Sequence, residues 1–172
     1  MPLSDFLLDA QIFFGRGGWP LVLIILAAWL MWVMIFARLW FFTVEEPRLY
    51  RALHQRWAPW MGQESWGTEK IRRQLLSEHR QATRRLLRPI ATLVKISPLL
   101  GLLGTVLGMI EVFEVMAIQG SGNVRAMAAG ISKATLTTMA GMVAAISGLV
   151  VSAQLNRRAA KAEQRILKAF EA

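Results

Sequence analysis

The sequence predicts an all-α, polytopic membrane protein with three transmembrane helices, the second and third long enough to continue into the cytoplasm. Three observations carry this. Apolar residues fill 55% of the 172 positions, above the roughly 45–50% of an ordinary soluble domain, and the mean hydropathy is +0.40. The excess is gathered in three blocks without a charge, residues 19–37, 96–110 and 134–155, and a helix needs about 20 mostly apolar residues to cross a hydrocarbon core. The 20 Lys and Arg, against 11 Asp and Glu, lie mostly between or after those blocks, where basic residues orient a chain and meet anionic lipid. The net charge of +9 is therefore read as membrane-facing, so lipids are expected partners and nucleic acid is not.

The elements follow in order. Within residues 1–18, Leu3, Phe6, Leu7, Ala10, Phe13 and Phe14 recur at three- and four-residue steps, which predicts a periplasmic amphipathic helix lying in the interface. Gly15, Gly17 and Gly18 are expected to break it, and Pro20 suits the first turn of the next helix, where its missing N–H has no partner to lose. The start carries Asp5 and Asp9 and no basic leader, unlike a signal peptide, so the first hydrophobic block is expected to stay in the mature protein. Transmembrane helix 1 is assigned to residues 19–42, with Arg38 able to snorkel and Trp19, Trp40, Phe41 and Phe42 at the interfaces.

Residues 43–89 form the cytoplasmic helical region, with a turn-rich break at 62–67 and Thr68 as an N-cap. From Thr68 one long helix is expected to about Ala117, bent if anywhere at Pro98; residues 90–117 of it make transmembrane helix 2. A periplasmic loop, 118–123, turns the chain, transmembrane helix 3 covers 124–155, and a cytoplasmic helix fills 156–172. The orientation comes from charge. Ten Lys and Arg lie in residues 43–88 and five in 156–172, but one each in 1–18 and 118–125, so the positive-inside rule places the N-terminus outside and the C-terminus in the cytoplasm.

There is no cysteine, which removes disulfides, thiol nucleophiles and cysteine-held metals. His54 and His79 have no second ligand at a metal-like spacing and read as solvated helix surface, so neither a metal nor a cofactor is expected. No intramembrane Asp or His and no Gly-x-Ser-x-Gly elbow occurs, which argues against an intramembrane enzyme. The informative residues are small or hydroxylic. Gly101, Gly104 and Gly108 share a face of the second span, and Gly130, Ala134, Thr138, Gly141, Ala145, Gly148 and Ser152 step along the third, a pattern that lets helices approach closely. Thr105, Thr135, Thr137 and Thr138 bring hydroxyls to otherwise aliphatic spans. Each either bonds its own helix carbonyl or lines a narrow polar path. Glu111 and Lys133 stand level if the hairpin turns near Gly122, and ionisable groups at that depth are normally paired or functional.

The run Ser97-Pro98-Leu99-Leu100-Gly101-Leu102-Leu103-Gly104-Thr105-Val106-Leu107-Gly108-Met109, with Gly130-Ile131-Ser132 and Thr138-Met139-Ala140-Gly141-Met142-Val143-Ala144-Ala145-Ile146, resembles the MotA/TolQ/ExbB proton-channel family. Three spans with the N-terminus outside are similar to ExbB and TolQ; flagellar MotA proteins have four. The resemblance implies an ExbB-like homopentamer in the bacterial inner membrane, its second and third spans surrounding the single helices of an ExbD-like partner. The partner's intramembrane Asp would take and release protons, and the proton motive force would drive a TonB-like protein in outer-membrane transport. By motif position Thr105 and Thr138 match pore-facing threonines, with Thr135 added as pore-lining from its place in the span. Lys133 stands where many members carry Glu, so no protonatable acid at that site can belong to this chain's mechanism. The alternatives are a TolQ-like subunit serving envelope integrity and a passive membrane scaffold.

Overall fold

A computed structural model describes the backbone of residues 2–60, 66–120 and 123–171, and the side chains of 17–60, 66–120 and 123–170. Among the described residues the chain is all-α. The elements are α1 (Pro2–Trp40), a π-helical turn (Phe41–Glu45), α2 (Glu46–Trp57), a 3-10 turn (Ala58–Trp60), α3 (Trp66–Arg84), α4 (Leu87–Gln119) and α5 (Val124–Glu171). Three helical stretches are long and apolar enough to cross a membrane: Gly17–Trp60, Trp66–Gln119 and Val124–Phe170. The chain is a multi-pass membrane protein. The apolar side chains expected on the first amphipathic helix lie outside the described residues.

The breaks differ from expectation in instructive ways. Helix α1 runs through Gly15 and Gly17 and is interrupted only at Gly18 (φ 63°, ψ −167°), a backbone region that a Cβ disfavours. Pro20 follows two residues later, in the first turn of the resumed helix. The expected helix from Thr68 to Ala117 is broken at Arg85 and Leu86, Leu86 taking φ 65°, and Pro98 stays inside α4. The cause is Pro89. It has no N–H to give a continuing helix, so α4 starts at Leu87 and leaves Pro89 in a first turn, where no donor is needed. Thr68 does not cap α3, which begins at Trp66; its side chain is buried and its Oγ1 has no hydrogen-bond partner among the described residues. The Lys70 ammonium lies 3.8 Å from the Trp66 ring centroid, a contact one helical turn apart that continues the helix past Thr68.

The turn between α4 and α5 is well marked by its chemistry. Gly120 (φ 70°) ends α4 in the left-handed conformation common just past a helix, its N–H donating to Met116 O at 3.0 Å. Asn123 Oδ1 accepts from Ala126 N at 3.1 Å, an N-cap for α5. From there α5 is unbroken to Glu171.

By packing the chain divides into two compact units, residues 1–32 with 92–149, and residues 33–91 with 150–172. In the first, Leu21, Ile24 and Met31 of α1, Val94 and Val112 of α4, and Ala134, Ala144 and Ala145 of α5 are buried. Trp29, Leu99, Leu102, Phe113, Met139 and Val143 are exposed, as suits helices with lipid or partner helices beside them. In the second, Leu53 and Trp57 of α2, Leu75 of α3, and Ile166 and Phe170 of α5 form a core, the Trp57 and Phe170 rings stacking at 5.0 Å.

Candidate functional site

The candidate site is the α4–α5 hairpin of the first unit, and its small residues set how close the two helices come. A Cβ built on Gly101 would stand 3.2 Å from Thr138 Cα, and one on Gly141 would stand 2.7 Å from Ser97 O and 3.1 Å from Gly101 Cα. One on Gly108 would meet Gly130 O at 2.9 Å, and one on Gly130 would meet Gly108 O at 3.1 Å. At Gly101 and Gly141 every opposing atom is backbone, and at Gly108 and Gly130 the Ala134 Cβ and the Val112 Cγ2 stand nearer than the facing carbonyls, so a side chain at Gly101 or Gly141 could enter only by parting the helices. Gly104 instead faces the Thr137 side chain, and Gly148 faces Met31 of α1 and Val94 of α4. These contacts all lie within one chain.

The threonines divide by environment. Thr137, treated from sequence as one hydroxyl among four, is fully buried beneath Gly104 and donates to Ala134 O at 2.9 Å and Lys133 O at 3.1 Å. Thr138 is half-buried and its hydroxyl is shared between Ala134 O and Gly101 O, each at 3.2 Å. It therefore bonds across the hairpin as well as along its own helix. Thr105 is half-buried and donates to Leu102 O at 2.7 Å; Thr135 is exposed and donates to Ile131 O at 2.9 Å. The signal that would have singled out Thr137 is its spacing. It falls three residues after Ala134 and four before Gly141, both buried, so it belongs to the stripe more centrally than Thr138.

Lys133 and Glu111 are brought together: Lys133 Nζ donates to Glu111 Oε1. A Cβ on Gly18 would lie 2.9 Å from the same Nζ, so the ammonium sits where all three apolar helices meet. A cavity of about 520 Å³ opens beside it, lined by Glu111, Arg125, Ser132 and Lys133 among others. The described residues hold no cluster of three or more metal-binding side chains.

The model of the MotA/TolQ/ExbB proton channel family matches residues 42–168, nearly three quarters of the chain and the whole of the hairpin. The chain belongs to that family. Within the MotA/TolQ/ExbB family it is similar to the biopolymer transport protein exbB1 of Vibrio cholerae, 46% identical over 81 residues that cover 46% of this chain and 35% of the relative. An ExbB-like biopolymer transport protein of Synechocystis is 45% identical over 65 residues, 36% of this chain and 26% of its own length. ExbB of Salmonella typhimurium is 42% identical over 62 residues, 36% of this chain and 25% of the relative. The matches thus span between a quarter and about a third of these relatives.

The second unit holds what sequence reasoning missed. Arg38, expected to snorkel, is 3% exposed. Its guanidinium donates to Ala82 O at 3.1 Å and to Thr83 O, carbonyls that the end of α3 leaves without helical donors. Phe41 and Phe42 enclose it, their ring centroids 4.3 and 4.8 Å from Cζ. His79, expected on a solvated face, is 0% exposed and lies 3.8 Å from the buried Glu46. Here the periodicity was readable, because Leu75, His79, Thr83 and Leu87 step by four and all are buried; the polar side chains concealed it. Nearer the surface, Arg84 Nη2 donates to Glu163 Oε2 at 2.8 Å. That hydrogen bond holds the Glu163 carboxyl below the usual carboxylate range, against the opposing effect of its partial burial.

Proposed function

We propose that the chain is an ExbB-like proton-channel subunit of the bacterial inner membrane, with its N-terminus periplasmic and residues 43–89 and 156–172 cytoplasmic. It works as a homopentamer with an ExbD-like single-span partner and couples the proton motive force, through a TonB-like protein, to transport across the outer membrane. The observation that carries this reading is the match of the family model across the hairpin, in which half-buried Thr105 and Thr138 stand beside aliphatic residues.

In this reading the glycines close α4 on α5 and leave hydroxyls as the polar groups available along the ion path. A threonine whose proton is given to a helix carbonyl still offers lone pairs to water or to a partner's carboxylic acid. Thr138 is tethered to Gly101 O and Ala134 O, which fixes where those lone pairs point. Thr135, exposed, faces a neighbouring helix of the assembly. Lys133 serves as the structural counter-charge of Glu111.

The test is a double substitution, Thr105→Val with Thr138→Val, in cells that depend on this chain for TonB-dependent uptake. The complex is expected to assemble with its partner and uptake to be lost. Uptake at the wild-type rate would overturn the hydroxyl path. Sensitivity to detergent with uptake intact in a deletion strain would favour the TolQ-like role instead.

A further inference from the structure

We propose that His79, with Glu46, is a proton-binding site in the second unit: a buried imidazole that takes up one proton from solvent and thereby changes how α2 packs on α3.

The geometry is that of an unmet demand. His79 is 0% exposed, and neither Nδ1 nor Nε2 has a hydrogen-bond partner among the described residues. Glu46 Oε1 has none either, and it stands 3.8 Å from His79 Nε2, close enough to attract and too far to hydrogen-bond. Polar atoms in such surroundings are normally satisfied, and each that is not carries a desolvation cost. A proton on the imidazole would supply a donor on both nitrogens and a positive charge opposite the carboxylate. A side-chain movement of under an ångström would then complete a charge-assisted bond from α3 to α2.

The charged groups around the ring decide when this happens. Glu46 faces it from α2, itself bordering a cavity with Arg158, Lys161 and Arg165 of α5, and Glu163 acts on the ring from α5. Glu163 is already committed to Arg84 and lies 4.0 Å from Arg80. On its own helix Arg73 and Arg80 line a cavity of about 310 Å³ that His79 also borders, with Ser77 and Ile166. One turn further along, the Arg38 guanidinium is bound at Thr83 O. Burial disfavours the charged ring more than the two carboxylates favour it, so the imidazole takes its proton below the ordinary value, about 6.5. The cavity supplies the route, since Arg73, Ser77 and Arg80 are exposed at its rim.

The sign of the pH effect follows. The unfolded chain binds this proton more readily than the folded one. The contribution of neutral His79 to stability is therefore whole above about pH 6.5 and is lost as the pH falls through the lower folded value. If the orientation proposed above holds, the pH sensed is that of the cytoplasm; the site itself does not depend on that reading.

The full chain has two histidines, so nitrogen-15 imidazole spectra in detergent micelles resolve both, with His54→Gln assigning the pair. His79 is expected to be neutral at pH 7.5 and to protonate reversibly with a midpoint below 6.5. Amide protection in α2 and α3 should fall over the same step. Glu46→Gln should weaken proton binding at least about fivefold, the attraction that even water's dielectric leaves at this separation. A His79 that stays neutral to pH 4 in a folded bundle overturns the site. So does a midpoint that Glu46→Gln leaves unmoved. Should that variant not fold, the Glu46 carboxyl carbon-13 shift in the unsubstituted chain replaces it: movement at the His79 midpoint supports the pair, and an unchanged shift rejects it. None of these readouts involves proton flux or transport.

Discussion

The two units of this chain handle buried polarity in opposite ways. In the first unit, among the described residues, no buried side-chain nitrogen or oxygen lacks a hydrogen-bond partner. The hydroxyls of Ser97, Thr105, Thr135, Thr137, Thr138 and Ser147 all donate to helix carbonyls three or four residues back. In the second, Glu46 and His79 are buried with atoms unpaired, and Arg38 serves a helix end outside its own. With residues 43–89 and 156–172 in the cytoplasm, as proposed above, the difference has a solvent basis. A hydroxyl facing hydrocarbon has no water to turn to, so it satisfies itself locally and leaves helix faces smooth enough to pack. A bundle with water at its surface can keep titratable groups inside and exchange protons with them.

The contrast would break most visibly at Gly141. Leucine there would press on the Ser97 carbonyl and the Gly101 backbone, which cannot yield without parting α4 from α5, at about 3 kcal/mol or loss of the fold. Leucine at Gly148 would press on the Met31 and Val94 side chains, and an unbranched methionine adapts, so its cost should be smaller. Thermal aggregation of both purified variants checks the order. Equal damage would mean that backbone approach is not what the stripe provides.

In the second unit the sharper probe is Arg38→Met. It keeps the apolar stem and removes the donors to Ala82 O and Thr83 O, leaving buried carbonyls unpaired at about 2 kcal/mol. Hydrogen exchange should quicken in the last turn of α3 while the α4–α5 hairpin keeps its protection. Uniform loosening would show that the two units do not hold their polar groups independently.

A smaller effect is expected from the charges of the first unit. Lys133→Ala and Glu111→Gln, combined, should be less harmful than their separate effects added, with a coupling of about 0.5–1 kcal/mol, because Glu111 is nearly half exposed. Strict additivity would mean that the pair contributes nothing and that Lys133 serves the neighbouring Gly18 turn or another subunit.

Much of this architecture is legible in the residues. Charge-free blocks mark the three spans, and the Gly120 and Asn123 signals mark the turn between α4 and α5. The break at Leu86 was hidden because attention falls on Pro98, inside an apolar run, when Pro89 is the residue that stops a helix entering from the basic side. The interior of the second unit was hidden for another reason: a four-residue stripe containing His79 and Thr83 reads as polar surface until α2 and α5 are seen to cover it. The same covering makes Arg38 a cap. In the hairpin the small-residue steps run through Thr138 and pass over Thr137, and side-chain direction, which differs by about 100° between neighbours, separates the buried one from the one that reaches Gly101.

The most direct test of the channel account is proton flux into proteoliposomes holding this chain with the proposed ExbD-like partner, read by an internal pH dye under an imposed potential. Thr105→Val and Thr138→Val are each expected to lower the flux per assembled complex. Thr137→Val, whose hydroxyl is buried inside the hairpin and bonded to its own helix, is expected to lower thermal stability by about 1 kcal/mol and leave the flux unchanged. Flux that survives Thr105→Val and Thr138→Val and falls with Thr137→Val would contradict the account.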